Sequence, residues 1–209
     1  IGSQDAIMET GRAEATLSLA EVAGVPDLYA VGPAEGLDGE ITVFDSEAYV
    51  SRVRGAGFVV DSSFDHRAIF LVWARIGEWD DGTAVPDTIS TLEELERFVA
   101  ETARRRGLDT GQPFPFLLAG TPRRLDWHIN VDRTAGRPIT RELFQASKER
   151  YTLRGERTDI FGVHSPRHEG IFTGRGTRVH MHFVSRDGPA TGHVDDIDAA
   201  GLTLRLPRR

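Results

Sequence analysis

Val179-His-Met-His-Phe-Val-Ser-Arg-Asp-Gly-Pro-Ala-Thr-Gly-His-Val194 carries three of the chain's seven histidines, His180, His182 and His193. Successive side chains of a strand point to opposite faces, so residues two apart share one. His180 and His182 therefore project together. Asp187-Gly188 is the strongest hairpin signal in the chain. A turn at that pair sets His193 directly across from His182, and opposed Cβ atoms in a ladder lie about 4.5–5.5 Å apart. One hairpin then aims three imidazoles at one point, which is how a three-histidine metal site is built. Pro189 has no N–H to offer a ladder, so it predicts a longer loop or a bulge beside the turn. Any one of these histidines alone reads as an ordinary surface or core residue. Three on one face, interleaved with the β-formers Val179, Phe183 and Val184, read as a metal site and not as a polyhistidine tract.

The bulk properties narrow the partners. A chain of 209 residues forms one sizeable domain or two small ones with a shared core. Its composition, 39% hydrophobic and 27% charged, is that of a soluble globular protein. A net charge of -7 argues against nucleic acid, whose phosphates need a basic surface. No run of about 18 apolar residues exists to cross a membrane as a helix. Cysteine is absent, which removes disulfides and thiolate ligands and leaves histidine and carboxylates for any metal. Localisation stays open between the cytoplasm and export after removal of a signal peptide. The opening Ile1-Gly2-Ser3 lacks a methionine and reads as a trimmed, mature or scarred N-terminus. Lys148 is the single lysine among 25 basic residues; this reads as genomic base-composition bias and not as mechanism.

Residues 1–14 show no apolar period and read as a flexible lead-in. Residues 15–112 form an N-terminal half and 113–209 a C-terminal half carrying the metal hairpin, with a Pro/Gly-containing linker at Asp109–Pro115. A short helix is expected at Thr16–Ala23. Strands are expected at Leu28–Val31, Glu40–Asp45, Ala48–Val53, Phe58–Val60 and Ala68–Ala74. The last is nearly continuously apolar and reads as a central strand. One helix is strongly signalled near 91–106. Ser90 and Thr91 precede Glu93 and Glu94 in a capping-box arrangement, Leu92, Leu95, Phe98, Val99 and Thr102 make one stripe, and Gly107 closes it. Arg104–Arg106 there read as a solvated helix end. Phe116–Ala119 and Leu125–Ile129 look like the two strands of a hairpin, and a helix is expected from Thr140 to about Arg150. Thr158–Val163 and Leu202–Leu206 complete the pattern. The fold class is α+β and β-rich.

Three stretches together resemble the α-acetolactate decarboxylase family. Gly36-Leu-Asp-Gly-Glu40 with Ile-Thr-Val-Phe-Asp45 and Ala48-Tyr49 is similar to the family's Leu-Asp-Gly-Glu strand. Gly162-Val-His-Ser-Pro166 is similar to its Gly-Phe-Arg-Ser/Thr-Pro. His180-x-His182 followed by Gly192-His193 resembles its metal-binding strand pair. The resemblance spans roughly residues 16 to 206. It implies an N-terminal mixed β-sheet half packed with a C-terminal β-barrel-like half, a homodimer, and a zinc enzyme that decarboxylates α-acetolactate to acetoin. His180, His182 and His193 stand at the zinc ligands, and Glu40 stands at an active-site glutamate. There are also departures. Aligning the family's turn glycine with Gly120 puts His128 where the family has its catalytic arginine. Pro33 stands for a threonine seven residues before the glutamate. The chain ends at Arg209, before the tail that supplies a further glutamate.

Three neutral imidazoles leave a coordination position open, the mark of a catalytic site. An α-hydroxy-β-keto acid can chelate there through hydroxyl and carbonyl oxygens. The expected reaction is loss of CO₂ to an enediolate whose charge the metal stabilises, with Glu40 as acid/base. His128 is read as a substrate-binding or proton-transfer group. Arg123 and Arg124 are candidates for the missing cationic clamp, His164 and His168 for the site mouth, and Asp195 for orienting an imidazole. His66 reads as a surface residue. Zn²⁺ is expected, with another divalent transition metal as the alternative, and a small hydroxy/keto acid is the expected partner. Rival readings are a family-like isomerase, cyclase or hydrolase on another such acid, a cupin-like metal-dependent oxygenase, and a non-catalytic ligand-binding module. Cupins usually place a glutamate just after the His-x-His pair, and Ser185–Gly188 offers none. Gly174-Arg-Gly176 lacks the context of a phosphate loop, and no Gly-x-Ser-x-Gly elbow is present.

Overall fold

The computed structural model describes residues 4–208; the expectations about Ile1–Ser3 and Arg209 lie outside them. The elements run α1 (Gln4–Thr10), β1 (Leu17–Ser18), β2 (Leu28–Pro33), β3 (Glu40–Phe44), β4 (Glu47–Arg54), β5 (Gly57–Asp61), β6 (Arg67–Ala68), β7 (Val72–Arg75), β8 (Thr83–Ala84), α2 (Leu92–Arg105), β9 (Phe114–Gly120), β10 (Arg124–Asn130), α3 (Arg141–Ala146), β11 (Lys148–Leu153), β12 (Thr158–His164), β13 (Val179–Ser185), β14 (Thr191–Asp198) and β15 (Leu202–Arg205). Strand dominates, as the alternating pattern requires. No helix of the described residues is long and apolar enough to cross a membrane.

Two large sheets and a two-stranded one, β1-β6, are formed by the described residues. One large sheet has five strands in the order β5-β4-β3-β2-β7; the other has eight, β11-β10-β14-β13-β12-β9-β15-β8. The expected mixed sheet is antiparallel at every pairing: short connections reverse the chain between β2, β3, β4 and β5, and β7 returns antiparallel along β2. The expected barrel-like half is an open sheet with β11 and β8 at its edges. Between the sheets lies a shared core of Tyr29, Val31, Phe44, Leu117, Phe161, Val163 and Val184. Behind the larger sheet, Phe116, Leu118, Trp127, Ile160, Met181 and Phe183 pack against Leu95, Val99 and Ala103 of α2. Helix α2 packs behind the second sheet, and β8 is one of its edge strands.

Local chemistry explains α2. The Thr91 side chain accepts from the Glu94 N–H at 3.3 Å while Glu94 accepts from the Thr91 N–H at 3.2 Å. This reciprocal pair satisfies two donors that the first turn leaves unpaired. At the other end Gly107 turns left-handed at φ 80, and the Gly107 and Leu108 N–H groups bond the Arg104 and Ala103 carbonyls, a Schellman closure.

Several expectations fail, each where packing between distant segments decides. The lead-in contains a seven-residue helix, α1, whose Ile7 is buried. Thr16–Ala23 holds the two-residue β1 and a short 3-10 turn at Leu19–Val22. Ala68–Ala74 breaks into β6 and β7: β6 pairs with β1 and β7 is an edge strand on β2. Its apolar run reads as central because Ile69 and Phe70 are buried between the two strands, outside any ladder. β9 and β10 do not form a hairpin. β9 pairs with β12 and β15, and β10 with β11 and β14. The helix from Thr140 stops at Ala146, and Lys148–Leu153 is a strand added to β10.

Candidate functional site

The hairpin forms in the expected register, with His182 opposite His193, Phe183 opposite Gly192 and Val184 opposite Thr191. The loop absorbs Pro189 without a slip, because the Ser185 N–H still bonds the Ala190 carbonyl at 2.8 Å. His180, His182 and Val184 face the five-stranded sheet, whereas Val179, Met181 and Phe183 face the core behind. One nitrogen from each of His180, His182 and His193 lies within 4.8 Å of the others. The Nε2 atoms of His180 and His182 are 3.2 Å apart. A tetrahedral zinc with Zn–N near 2.0–2.1 Å sets neighbouring nitrogens about 3.3–3.4 Å apart, so the donor set fits such an ion.

Strand β3 covers this cluster. All five of its residues are buried, and alternation turns Glu40, Thr42 and Phe44 toward the larger sheet. Thr42 Oγ1 lies 3.2 Å from His182 Nδ1 and 2.8 Å from Thr191 Oγ1, and Thr191 Oγ1 donates to the Phe183 carbonyl at 2.6 Å. A carbonyl only accepts, and a hydroxyl has one proton to give. Thr191 must therefore accept from Thr42, and Thr42 must accept from His182 Nδ1–H. The chain assigns the tautomer and leaves the His182 Nε2 lone pair free for the ion.

Glu40 is 2% exposed. Its Oε2 is 3.5 Å from His182 Nε2 and its Oε1 is 3.7 Å from His128 Nε2. The Asn130 amide donates to Oε1 at 2.5 Å. Burial raises Glu40 well above the usual carboxylate range, against the opposing charge of Lys148. His128 lies opposite His193 in the ladder, with ring centroids 4.7 Å apart. Its Nδ1 sits 2.8–2.9 Å from both oxygens of Asp195. Burial raises Asp195, but the hydrogen bond from His128, together with the charge of Lys148, outweighs this and holds the carboxylate below its usual range. An ionised Asp195 makes His128 Nδ1 the donor and turns the Nε2 lone pair toward Glu40. Burial lowers His128 and His180 to about 4 and pushes His182 and His193 well below 6.5. All four are neutral at pH 7, the form a metal ligand needs.

A bulge places Asp195. Asp126 pairs with Asp196 and Trp127 with Val194, so Asp195 is the extra residue on β14, a device that re-aims a side chain next to a site. Asp195 therefore orients His128 and not one of the three clustered imidazoles. Gly192 is required for the same approach: a Cβ there would lie 2.7 Å from both the His128 carbonyl and the Trp127 ring.

Other candidates lie elsewhere. Arg123 makes an exposed ion pair with Asp198 at 3.0 Å, and Arg124 is held by Asp126 and Asp196. Neither is a clamp. His164 is on the opposite sheet face, stacked on Phe114 at 4.9 Å with its Nδ1 unpartnered among the described residues. Strand alternation carries it away from His180, which pairs with Val163. His168 caps the loop after β12, bonded to Ser165 Oγ at 2.7 Å and stacked on Phe172. It does not line the cavity holding the imidazoles. His66 is buried, with Asp61 3.2 Å from its Nε2. Sequence reading passed over Asn130, Thr42, Thr191 and Lys148. For Thr42 the signal was available, since a polar residue two positions after Glu40 shares its face.

The cavity bounded by Glu40, His128, Asn130, Lys148, His180 and His193 has a free volume of about 20 Å³, with Ile7, Pro33, Phe70 and Phe144 as its apolar wall. That is room for one ion or water. Lys148, Phe144 and His193 also border a neighbouring cavity of about 310 Å³, the low end of ligand-sized pockets.

Residues 2–208 match the family described as alpha-acetolactate decarboxylase. Among curated proteins no sequence matches. Three solved structures share the fold at 16% identity. The first is a Staphylococcus aureus protein of unknown function similar to alpha-acetolactate decarboxylase, with TM-score 0.76, covering 98% of this chain and 82% of that one. The second is the Bacillus subtilis alpha-acetolactate decarboxylase, with TM-score 0.75 and the same coverage. The third is the acetolactate decarboxylase of Bacillus subtilis subspecies spizizenii, with TM-score 0.76, covering 100% of this chain and 84% of that one.

Proposed function

Because this chain belongs to the alpha-acetolactate decarboxylase family, we propose that it is a zinc-dependent carboxy-lyase converting an α-hydroxy-β-keto acid of the acetolactate type to an α-hydroxy ketone and CO₂. The observation that carries this reading is the meeting of His180, His182 and His193 with a buried Glu40 3.5 Å from His182. The three imidazoles would hold zinc, which would supply Lewis acidity to the acid's oxygens. The residues handle the proton. Breaking the C–C bond to CO₂ leaves an electron pair that takes up one proton. Glu40, kept protonated by burial, delivers it to carbon. Asn130 holds that carboxyl group in place. His128, locked by Asp195, points its Nε2 lone pair at Glu40 and so favours the protonated carboxyl; a proton from solvent restores Glu40 once the product has left. The apolar wall excludes water from the developing charge. A homodimer is the assembly the family resemblance supports.

The test is direct. Protein loaded with zinc is given racemic acetolactate, and CO₂ and acetoin are measured. We expect stoichiometric release of both, lost on chelation and restored by zinc. One bound zinc per chain with no CO₂ released overturns the reading. One observation favours a second substrate within the same reading. A neutral His128 stands where the resemblance puts arginine, and Pro33 lines the cavity, so a panel of other hydroxy/keto acids belongs in the same assay.

A further inference from the structure

We propose that the ammonium of Lys148 is the cation that receives the substrate's carboxylate, in place of an arginine; this rests on the decarboxylase reading above. Lys148 is the only lysine of the chain. It opens β11 opposite Asn130, on the face that also carries His128. It borders both the cavity of the imidazoles and the larger one beside it. Its side chain is 15% exposed, yet its ammonium makes no hydrogen bond among the described residues. The nearest carboxylate oxygen, Asp195 Oδ1, forms a long ion pair with it at 3.9 Å, beyond hydrogen-bond reach, while Asp195 takes its hydrogen bond from His128 Nδ1–H. The Phe144 ring lies 5.6 Å from Nζ on one side. A largely buried ammonium whose donors make no hydrogen bond is poorly satisfied, and the long ion pair with Asp195 leaves room for an anion that binds it directly.

The neighbouring arginines are placed differently: Arg150, opposite His128, is exposed and borders neither cavity. Arg123 and Arg124 are paired elsewhere. Arg141 and Arg175 border only the larger cavity, and Arg175 is bonded to Asp5 at 2.7 Å. An ammonium is a compact point charge with three rotatable donors. It holds one carboxylate oxygen without demanding the planar fit of a guanidinium. Because this contact exists before CO₂ leaves and vanishes with it, its loss falls mainly on KM and less on kcat.

The experiment uses the full chain loaded with zinc, as wild type, Lys148→Met and Lys148→Arg. Calorimetric titration compares 2-hydroxyisobutyrate, which has a carboxylate, with acetoin, which has none. We expect Lys148→Met to bind zinc normally and acetoin within twofold of wild type. Its affinity for the hydroxy acid and its KM for acetolactate should worsen by roughly 10–100-fold, the effect of one charge-assisted hydrogen bond. Lys148→Arg should recover most of the hydroxy-acid affinity. Equal affinity of wild type and Lys148→Met for the hydroxy acid overturns the proposal, as does parallel loss of both ligands. A wild-type protein that binds the hydroxy acid through Lys148 yet releases no CO₂ from acetolactate refutes the decarboxylase reading alone.

Discussion

Thr42 does for His182 what Asp195 does for His128: it decides which ring nitrogen carries the proton. The direction of the chain from His182 through Thr42 and Thr191 to the Phe183 carbonyl follows from the donors available. Partners that orient a metal-binding imidazole are worth about 10–100-fold in affinity. Thr42→Val keeps the shape and removes the acceptor, so zinc affinity measured by chelator competition should fall by about that factor. Thr42→Ser should hold it near wild type. A Thr42→Val affinity within twofold of wild type would remove the relay from the account. The residue scale also shows where composition misled: a lone lysine reads as base-composition bias until its strand is seen to begin beside the candidate site.

At the scale of elements, the β13–β14 hairpin was legible to the residue, because period-2 alternation and an Asp-Gly turn are local signals. The same holds for α2, whose caps and stripe are contained in the segment. The bulge at Asp195 was not legible, since it exists only against β10. Gly192 marks that contact from the other side. Gly192→Ala puts a methyl group against the His128 carbonyl and the Trp127 ring, and overpacking of this kind costs about 1–3 kcal/mol. Urea unfolding of the zinc-free protein should show a lowered midpoint; an unchanged midpoint means that β14 and β10 are not held this closely. The helix expected through Arg150 failed because Lys148–Leu153 gains a ladder with β10, which no local propensity reveals.

The whole molecule has a pH signature. His128, His164 and His180 are buried and held at about 4, against an ordinary 6.5. The unfolded chain takes up these protons as pH falls through 6.5, while the folded one resists until about 4. Stability is therefore full above about pH 6.5 and drains as pH falls toward 4. The Tm of the zinc-free protein should drop between pH 7 and pH 5. His164→Phe, which keeps the stack on Phe114 and removes one titrating ring remote from the imidazole cluster, should drop less steeply. An identical slope would mean that His164 is not held neutral by burial.

Alternation, turn chemistry and capping act over a few residues, so the β-rich class, helix α2 and a hairpin aiming three imidazoles together were contained in the chain itself. Glu40, Asn130, Lys148 and the His128–Asp195 pair reach that hairpin from segments far apart in sequence. Glu40 and Asn130, bonded to each other, are 90 positions apart. Which sheet lies over which, and hence which buried carboxyl and which cation meet the imidazoles, depends on the summed packing of two sheets around a common core. That sum has no local period to read, and only the folded molecule decides it.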